Sequence, residues 1–439
     1  MNEADILIHS GIILTMDNQN TIIPNGMVAI SRNTISYVGS NEKGSIKAKK
    51  ELDIQGGLIL PGLINSHTHA PMTLFRGLAD DLPLVDWLNN YIFPVERKMD
   101  EDFVRVGSLL ACAEMILSGT TTFCDMYLFE EEVARAAKEA GMRSMVGEVL
   151  YDFPSPNYGE LENGFRYTNE LIERWSGDPL VNIAIEPHSL FTCGEELLCK
   201  ANDLALKKEV PLILHLAETK EEVTEVEKKF KTRPVQHLND LGLLGPHLIL
   251  DHCVYINKSE IELLAENNVC IVHNPESNMK LASGIAPVPD MIAKGIPVGL
   301  GTDGCASNNN LDLFGEMDMA AKLHKVNNLD PTVMNAQTLI KMATKDGAKV
   351  LGLEKITGSL EVGKRADLIV IDTNKPHLVP MYNAYSHLVY AASGHDVKHS
   401  IIDGKIVMED RRLLTLDVED IIKRSKEKSC KVKEWVKAK

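Results

Sequence analysis

The chain has 439 residues, long for one ordinary domain but within reach of a single α/β barrel that carries a smaller domain. Its 46 basic residues against 62 acidic ones leave a net charge of −16, which argues against binding nucleic acid or an anionic membrane through bulk electrostatics and favours a small partner of little charge. The eight cysteines include no CxxC pair and read as reduced and mostly structural.

In chain order, the opening MNEADILIHSG lacks the basic segment and apolar core of a secretory signal. No apolar run approaches the roughly 18 residues of a membrane helix, so a cytoplasmic protein without membrane contact is expected. Residues 1–57 are short alternating runs broken by Gly and Asn, the pattern of small antiparallel strands. Eight apolar strand-like runs then end in polar residues and are separated by helix-forming segments. They lie at 58–69, 120–127, 142–152, 181–189, 210–218, 247–255, 269–277 and 296–304, and they predict an α/β fold with a (β/α)8 TIM-type barrel over 58–357. Short strands return in GSLEVGKRADLIVID and VKHSIIDGKIVMED. Residues 358–416 are therefore expected to pair with 1–57 as one small discontinuous β-sandwich, leaving 417–439 as a charged helical tail.

Barrels carry their chemistry at the C-terminal ends of the strands. In PGLINSHTHAPM, His67 and His69 lie two apart, so on a strand they face one side while Thr68 faces away, and two imidazoles converge as a divalent metal requires. In LHLAE, His215 ends the fifth run and Glu218 follows three residues later, close enough to curl over whatever His215 binds. His252 ends the sixth run in LDHC. Asp303 ends the eighth in GLGTDG, where flanking glycines permit close approach. Cys253 and Cys305 read as packing residues, the stretch around His273 as pocket wall held through backbone and Asn bonds, and EEVTEVEKKFK at 221–231 as an exposed helix face.

With HxH, HxxE, H and D after the first, fifth, sixth and eighth strands, the sequence resembles the amidohydrolase superfamily in its adenosine-type deaminase branch. PGLINSHTH, HNPESNMKLASGIAPV, LGTDGCASNNNLDLFGEM and GSLEVGKRADLIV are similar to the methylthioadenosine/S-adenosylhomocysteine deaminase family and its 5'-deoxyadenosine deaminase relatives. The resemblance implies a metal held by His67, His69, His215 and Asp303, one Zn²⁺ per chain, with Fe²⁺ the main alternative. The fourth run has no lysine of the kind that two-metal members carboxylate. The HxE and PCxxC signature of the other zinc deaminase class is absent. Glu218 would move a proton to and from the ring, and His252 with Asp303 would orient a water and take its proton. Glu96 in FPVERK would accept from both ribose hydroxyls, and His188 in EPHS would contact the nucleoside.

The implied partner is a small-molecule nucleoside, with no nucleic acid and no membrane, and a homo-oligomer is expected. Family members commonly place an arginine at the end of the third strand, in a stretch resembling TRGLVD. Here GEVLYD puts Glu148 at that position, with Arg143 and Arg166 nearby. A preference for uncharged 5' groups over S-adenosylhomocysteine is therefore expected. The competing readings are a related enzyme acting on a guanine, cytosine or triazine ring, and a non-catalytic scaffold on the same fold.

Overall fold

The computed structural model describes residues 3–42, 46–82 and 84–437; the last two residues of the expected tail lie outside them. Among these residues, nine strands from the two ends of the chain form one sheet, joined where Leu58–Pro61 runs antiparallel to Leu368–Ile371 with Ile59 opposite Val370. Both strands are apolar throughout because both faces are covered. Ile59, Leu368 and Val370 pack into an aliphatic cluster with Ile8, Val28 and Ile401, while Leu58, Leu60, Ile369 and Ile371 belong to the barrel's core.

The run 58–69, read from sequence as one barrel strand, is thus two strands. Leu58–Pro61 completes the end sheet, and Leu63–His69 opens the barrel. The chain crosses between them at Gly62, where an added Cβ would lie 2.0 Å from Thr121 Oγ1.

The barrel follows as parallel neighbours: Leu63–His69, Thr120–Tyr127, Arg143–Leu150, Val181–Ile183 with Glu186–Pro187, Leu212–Leu216, Leu248–His252, Cys270–His273, and Val298–Leu300 with Asp303–Gly304. Bridges Ile185 to Leu212 and Ser189 to His215 join the fourth and fifth. The eighth strand is split so that Val298–Leu300 pairs with the seventh and Asp303–Gly304 with the first, which closes the ring. Gly301, at the split, is required there: a Cβ would sit 2.4 Å from Asn274 Oδ1 and 2.9 Å from His67 Cβ.

The charged tail is a helix, Val418–Lys437, docked on the helix Glu101–Leu117. Trp435 meets Phe103 at 5.6 Å between ring centroids, and Lys428 reaches Asp102. Among the described residues no helix is long and apolar enough to cross a membrane.

Candidate active site

Alternation along the first strand sends His67 and His69 into the barrel mouth, while Thr68 turns outward and donates to the Cys124 carbonyl at 2.7 Å. His215 enters from the fifth strand, where it stands opposite Asp251 of the sixth. His252 and Asp303 take left-handed backbone, φ +69° and +61°, a conformation costly for residues other than glycine and found where a side chain must be aimed. At His252 this breaks strand alternation, so the consecutive residues Asp251 and His252 both reach the same centre.

The three imidazoles are oriented alike. Nδ1 of His67 faces Asp251 Oδ2 at 3.2 Å, Nδ1 of His215 faces the His188 carbonyl at 2.9 Å, and Nδ1 of His69 faces the Met126 carbonyl. Protonated toward those acceptors, each ring offers Nε2 as a bare lone pair. These atoms converge: Nε2 of His67 is 3.2 Å from Nε2 of His215, and Asp303 Oδ1 is 3.1 Å from Nε2 of His69 and 3.6 Å from that of His67. Lone pairs so close and so buried repel unless a cation lies among them, and three nitrogens with one carboxylate oxygen suit a divalent metal that keeps an open position. His67, His69 and Asp303 form one such group, and His67, His215 and His252 a second that shares His67.

Asp303 is held by three donors: Ser277 and Ser307 hydroxyls at 2.6 and 2.9 Å to Oδ2, and the Gly304 N–H at 2.8 Å to Oδ1. Burial alone would raise its pKa, but the neighbouring His67 and His69 outweigh it and hold the carboxyl well below its usual range. His252 is fixed by Asn278, whose Oδ1 lies 2.9 Å from Nδ1. Burial works against charge on His252 and is overcome by Glu218, Asp303 and Asp251, so its pKa is raised.

Seven of the eight residues singled out in the sequence, all but His67, line one cavity of about 280 Å³, and His67 is buried against one of them, His215. Glu96 is no surface residue: it is 7% exposed, and the Tyr127 hydroxyl donates to its Oε1 at 2.7 Å. Burial pushes the Glu96 carboxyl up against that bond. His188 packs on Tyr151 with ring centroids 5.2 Å apart, and its Nδ1 is held by Thr192 at 2.8 Å. Burial, then the neighbouring histidines, push its pKa down to about 3, so the ring is neutral. Glu218 points into the cavity with Ser283 donating to Oε1 at 3.1 Å.

Three expectations are corrected. Glu148 does not face the cavity: its Oε2 accepts from the N–H of Glu130, in the first turn of the helix Glu130–Ala140, and its Oε1 from Asn157. Its charge therefore cannot meet a substrate tail. The run 221–231 is more than an exposed face, because Glu221, Glu222 and Glu225 of the helix Lys220–Phe230 line the cavity. Around His273, only Leu281 reaches the wall. His273 itself pairs with His324 at 3.1 Å, and Ser277 and Asn278 serve instead as supports for Asp303 and His252. Sequence reasoning missed Asp251, Tyr127, Tyr151 and Glu222. For Asp251 the one available signal was an acid beside a strand-end histidine.

Residues 58–407 match the sequence model of the Amidohydrolase family. The chain belongs to the amidohydrolase family. A 5-methylthioadenosine/S-adenosylhomocysteine deaminase of Syntrophobacter fumaroxidans is 59% identical to this amidohydrolase over 425 residues, covering 96% of this chain and 97% of its own. A 5'-deoxyadenosine deaminase of Methanosarcina acetivorans is 44% identical over 427 residues, covering 96% and 97%. Among solved structures, an adenosine deaminase from Xanthomonas campestris with bound Zn superposes with a TM-score of 0.97 at 36% identity, over 99% of both chains. The amidohydrolase is accordingly an enzyme, a hydrolytic deaminase.

Proposed function

We propose that this amidohydrolase replaces the 6-amino group of 5'-modified adenosines by oxygen, releasing ammonia, with 5'-deoxyadenosine and 5'-methylthioadenosine as preferred substrates. The observation that carries the reading is one cavity with a converging His67, His69, His215 and Asp303 set, Glu218 and His252 beside it, and a buried carboxylate, Glu96, on the same lining. The names of the relatives and the zinc in the Xanthomonas structure support it.

His67, His69, His215 and Asp303 would hold one Zn²⁺, with Fe²⁺ compatible with the same donors. Such an ion, when bound, supplies a water whose pKa falls from about 15.7 to about 7. Glu218 gives a proton to ring nitrogen 1, which makes carbon 6 electrophilic, and later assists the departure of ammonia. His252 and the Asp303 carboxylate orient the attacking oxygen and receive its proton. Glu96, with one oxygen fixed by Tyr127, accepts from the vicinal ribose hydroxyls, since a carboxylate offers acceptors only. His188, neutral and with Nδ1 occupied, presents Nε2 to the nucleoside.

At the 5' side the preference rests on a different ground from Glu148. No lysine or arginine lines the cavity among the described residues, Arg143 is paired with Asp367 at 2.7 Å and Arg166 bonds Asn163, while Glu221, Glu222 and Glu225 add negative charge. An anionic tail finds no guanidinium clamp there.

A panel of purine nucleosides, followed by loss of adenine absorbance, tests the assignment. kcat/KM should be higher for 5'-deoxyadenosine and 5'-methylthioadenosine than for S-adenosylhomocysteine. Removing the 2'-hydroxyl should cost about 1.5–3 kcal/mol, the size of a bond to a charged group, and that penalty should vanish in Glu96→Ala. Free adenine deaminated as fast as its nucleoside would overturn the substrate assignment.

The carboxylate behind His67 gives a further expected result. Asp251→Asn should weaken metal binding about 10- to 100-fold, the usual effect of losing an acceptor behind a ligating imidazole. Competition with a chelator reads this directly, and unchanged affinity would remove Asp251 from the metal's support.

A further inference from the structure

The reach of Glu218 into the cavity is set from an unusual place. Leu216 ends the fifth strand, and Ala217 then takes left-handed backbone, φ +52°, without being glycine. That turn aims the Cα–Cβ bond of Glu218 toward the histidines, and it is costly enough that neighbouring groups must hold it. On the carbonyl side it is tied to the sixth strand's loop: Cys253 N–H donates to the Leu216 carbonyl at 3.0 Å and Tyr255 N–H to that of Ala217 at 2.9 Å.

On the amide side the holder is Glu222. Its Oε1 accepts from the Ala217 N–H at 3.1 Å and its Oε2 from the Glu218 N–H at 2.8 Å. Glu222 occupies the third position of the helix Lys220–Phe230, whose cap Thr219 accepts from the Glu222 N–H at 3.2 Å. A glutamate in that position ordinarily reaches back to the cap's own N–H. Here it reaches further, and the two oxygens of one carboxyl group span two consecutive amides of the turn that carries Glu218. Burial pushes the Glu222 carboxyl up to about 7, against the bond donated by the Glu218 amide. The Glu218 side chain is itself held by Ser283, whose hydroxyl donates to one oxygen of its tip.

We propose that Glu222 is a positioning residue for the deamination, fixing the Ala217–Glu218 peptide so that the Glu218 carboxyl meets ring nitrogen 1; this rests on the function proposed above. With the span removed, both amides lose their acceptor, the turn is held on its carbonyl side alone, and Glu218 gains room to shift about its own backbone. A shift of about 1 Å in a reacting group costs on the order of 10²-fold in rate.

The test compares wild type, Glu222→Gln and Glu222→Ala in the full-length, zinc-loaded enzyme, with zinc content measured in each. For Glu222→Ala, kcat should fall about 10²-fold while KM stays within about threefold. Affinity for a tetrahedral 6-hydroxy-1,6-dihydropurine riboside should fall in step with kcat/KM, and affinity for the product nucleoside should not. Glu222→Gln, which matches the shape and keeps one acceptor, should be intermediate and keeps the test open should the alanine variant fold poorly.

Because the effect runs through Glu218, Glu222→Ala should add less than about threefold in a Glu218→Gln background, where independent sites would show the full penalty again. Equal kcat in wild type and both variants overturns the proposal, as does an undiminished penalty in the Glu218→Gln background, which marks a purely structural role. A wild type that deaminates no purine nucleoside overturns the underlying reading instead.

Discussion

Glu218→Gln should leave the folded, metal-loaded protein intact and remove most of its turnover, by about 10²- to 10⁴-fold, the contribution of general acid–base catalysis. The amide has the size of the carboxyl and can still meet the Ser283 hydroxyl, which rotates to donate or accept. It cannot deliver a proton to the ring and take one back. Glu218 also belongs to neither group of converging ligand atoms, so metal content should stay at the wild-type level. Elemental analysis beside single-turnover kinetics separates the two effects, and near-normal turnover in the variant would remove Glu218 from the proton path.

The second large effect is expected at the metal. Wild-type protein should carry one tightly held equivalent per chain, chelation should abolish turnover, and zinc should restore it. His67→Ala with His69→Ala should bind none and be inactive. Removing His67 also strips Asp251, fully buried, of its imidazole partner, and leaving a buried acceptor without its partner costs about 1–3 kcal/mol. The double variant should therefore also melt earlier. His69→Ala alone is the control, because the partner of its Nδ1 is only a backbone carbonyl. Two tightly bound equivalents, or full activity in the double variant, would overturn the mononuclear assignment.

What could be read from the sequence was what two local periods determine. His67 and His69 were legible because a strand repeats every two residues, and the HxxE spacing placed Glu218 near His215. Asp251 was illegible for the same reason inverted. On a regular strand it would face away from His252, and only the left-handed backbone at His252 lets both enter. Glu222 was hidden in a charged helical run, where charge spacing signals solvent and a carboxylate reaching back past its cap leaves no trace. Glu148 stood at the expected position along the chain, yet its side chain turned to a helix start. In the LILPGLINSHTH run the apolar continuity was correctly seen as burial, but burial between two cores and burial inside a barrel look alike until the Pro61–Gly62 crossing is resolved.

The antiparallel seam between Leu58–Pro61 and Leu368–Ile371 has a consequence for biogenesis. The strand that leads directly into His67 gains this neighbour only from a segment that follows the whole barrel in the chain. Contacts so distant along the chain form slowly, because loop closure precedes any reward from pairing. A nascent chain would therefore expose this apolar edge of Leu58–Pro61 until the barrel and Leu368–Ile371 after it have left the ribosome, and such edges are aggregation-prone. Recovery of folded protein during expression should accordingly rise with slower translation or added chaperone.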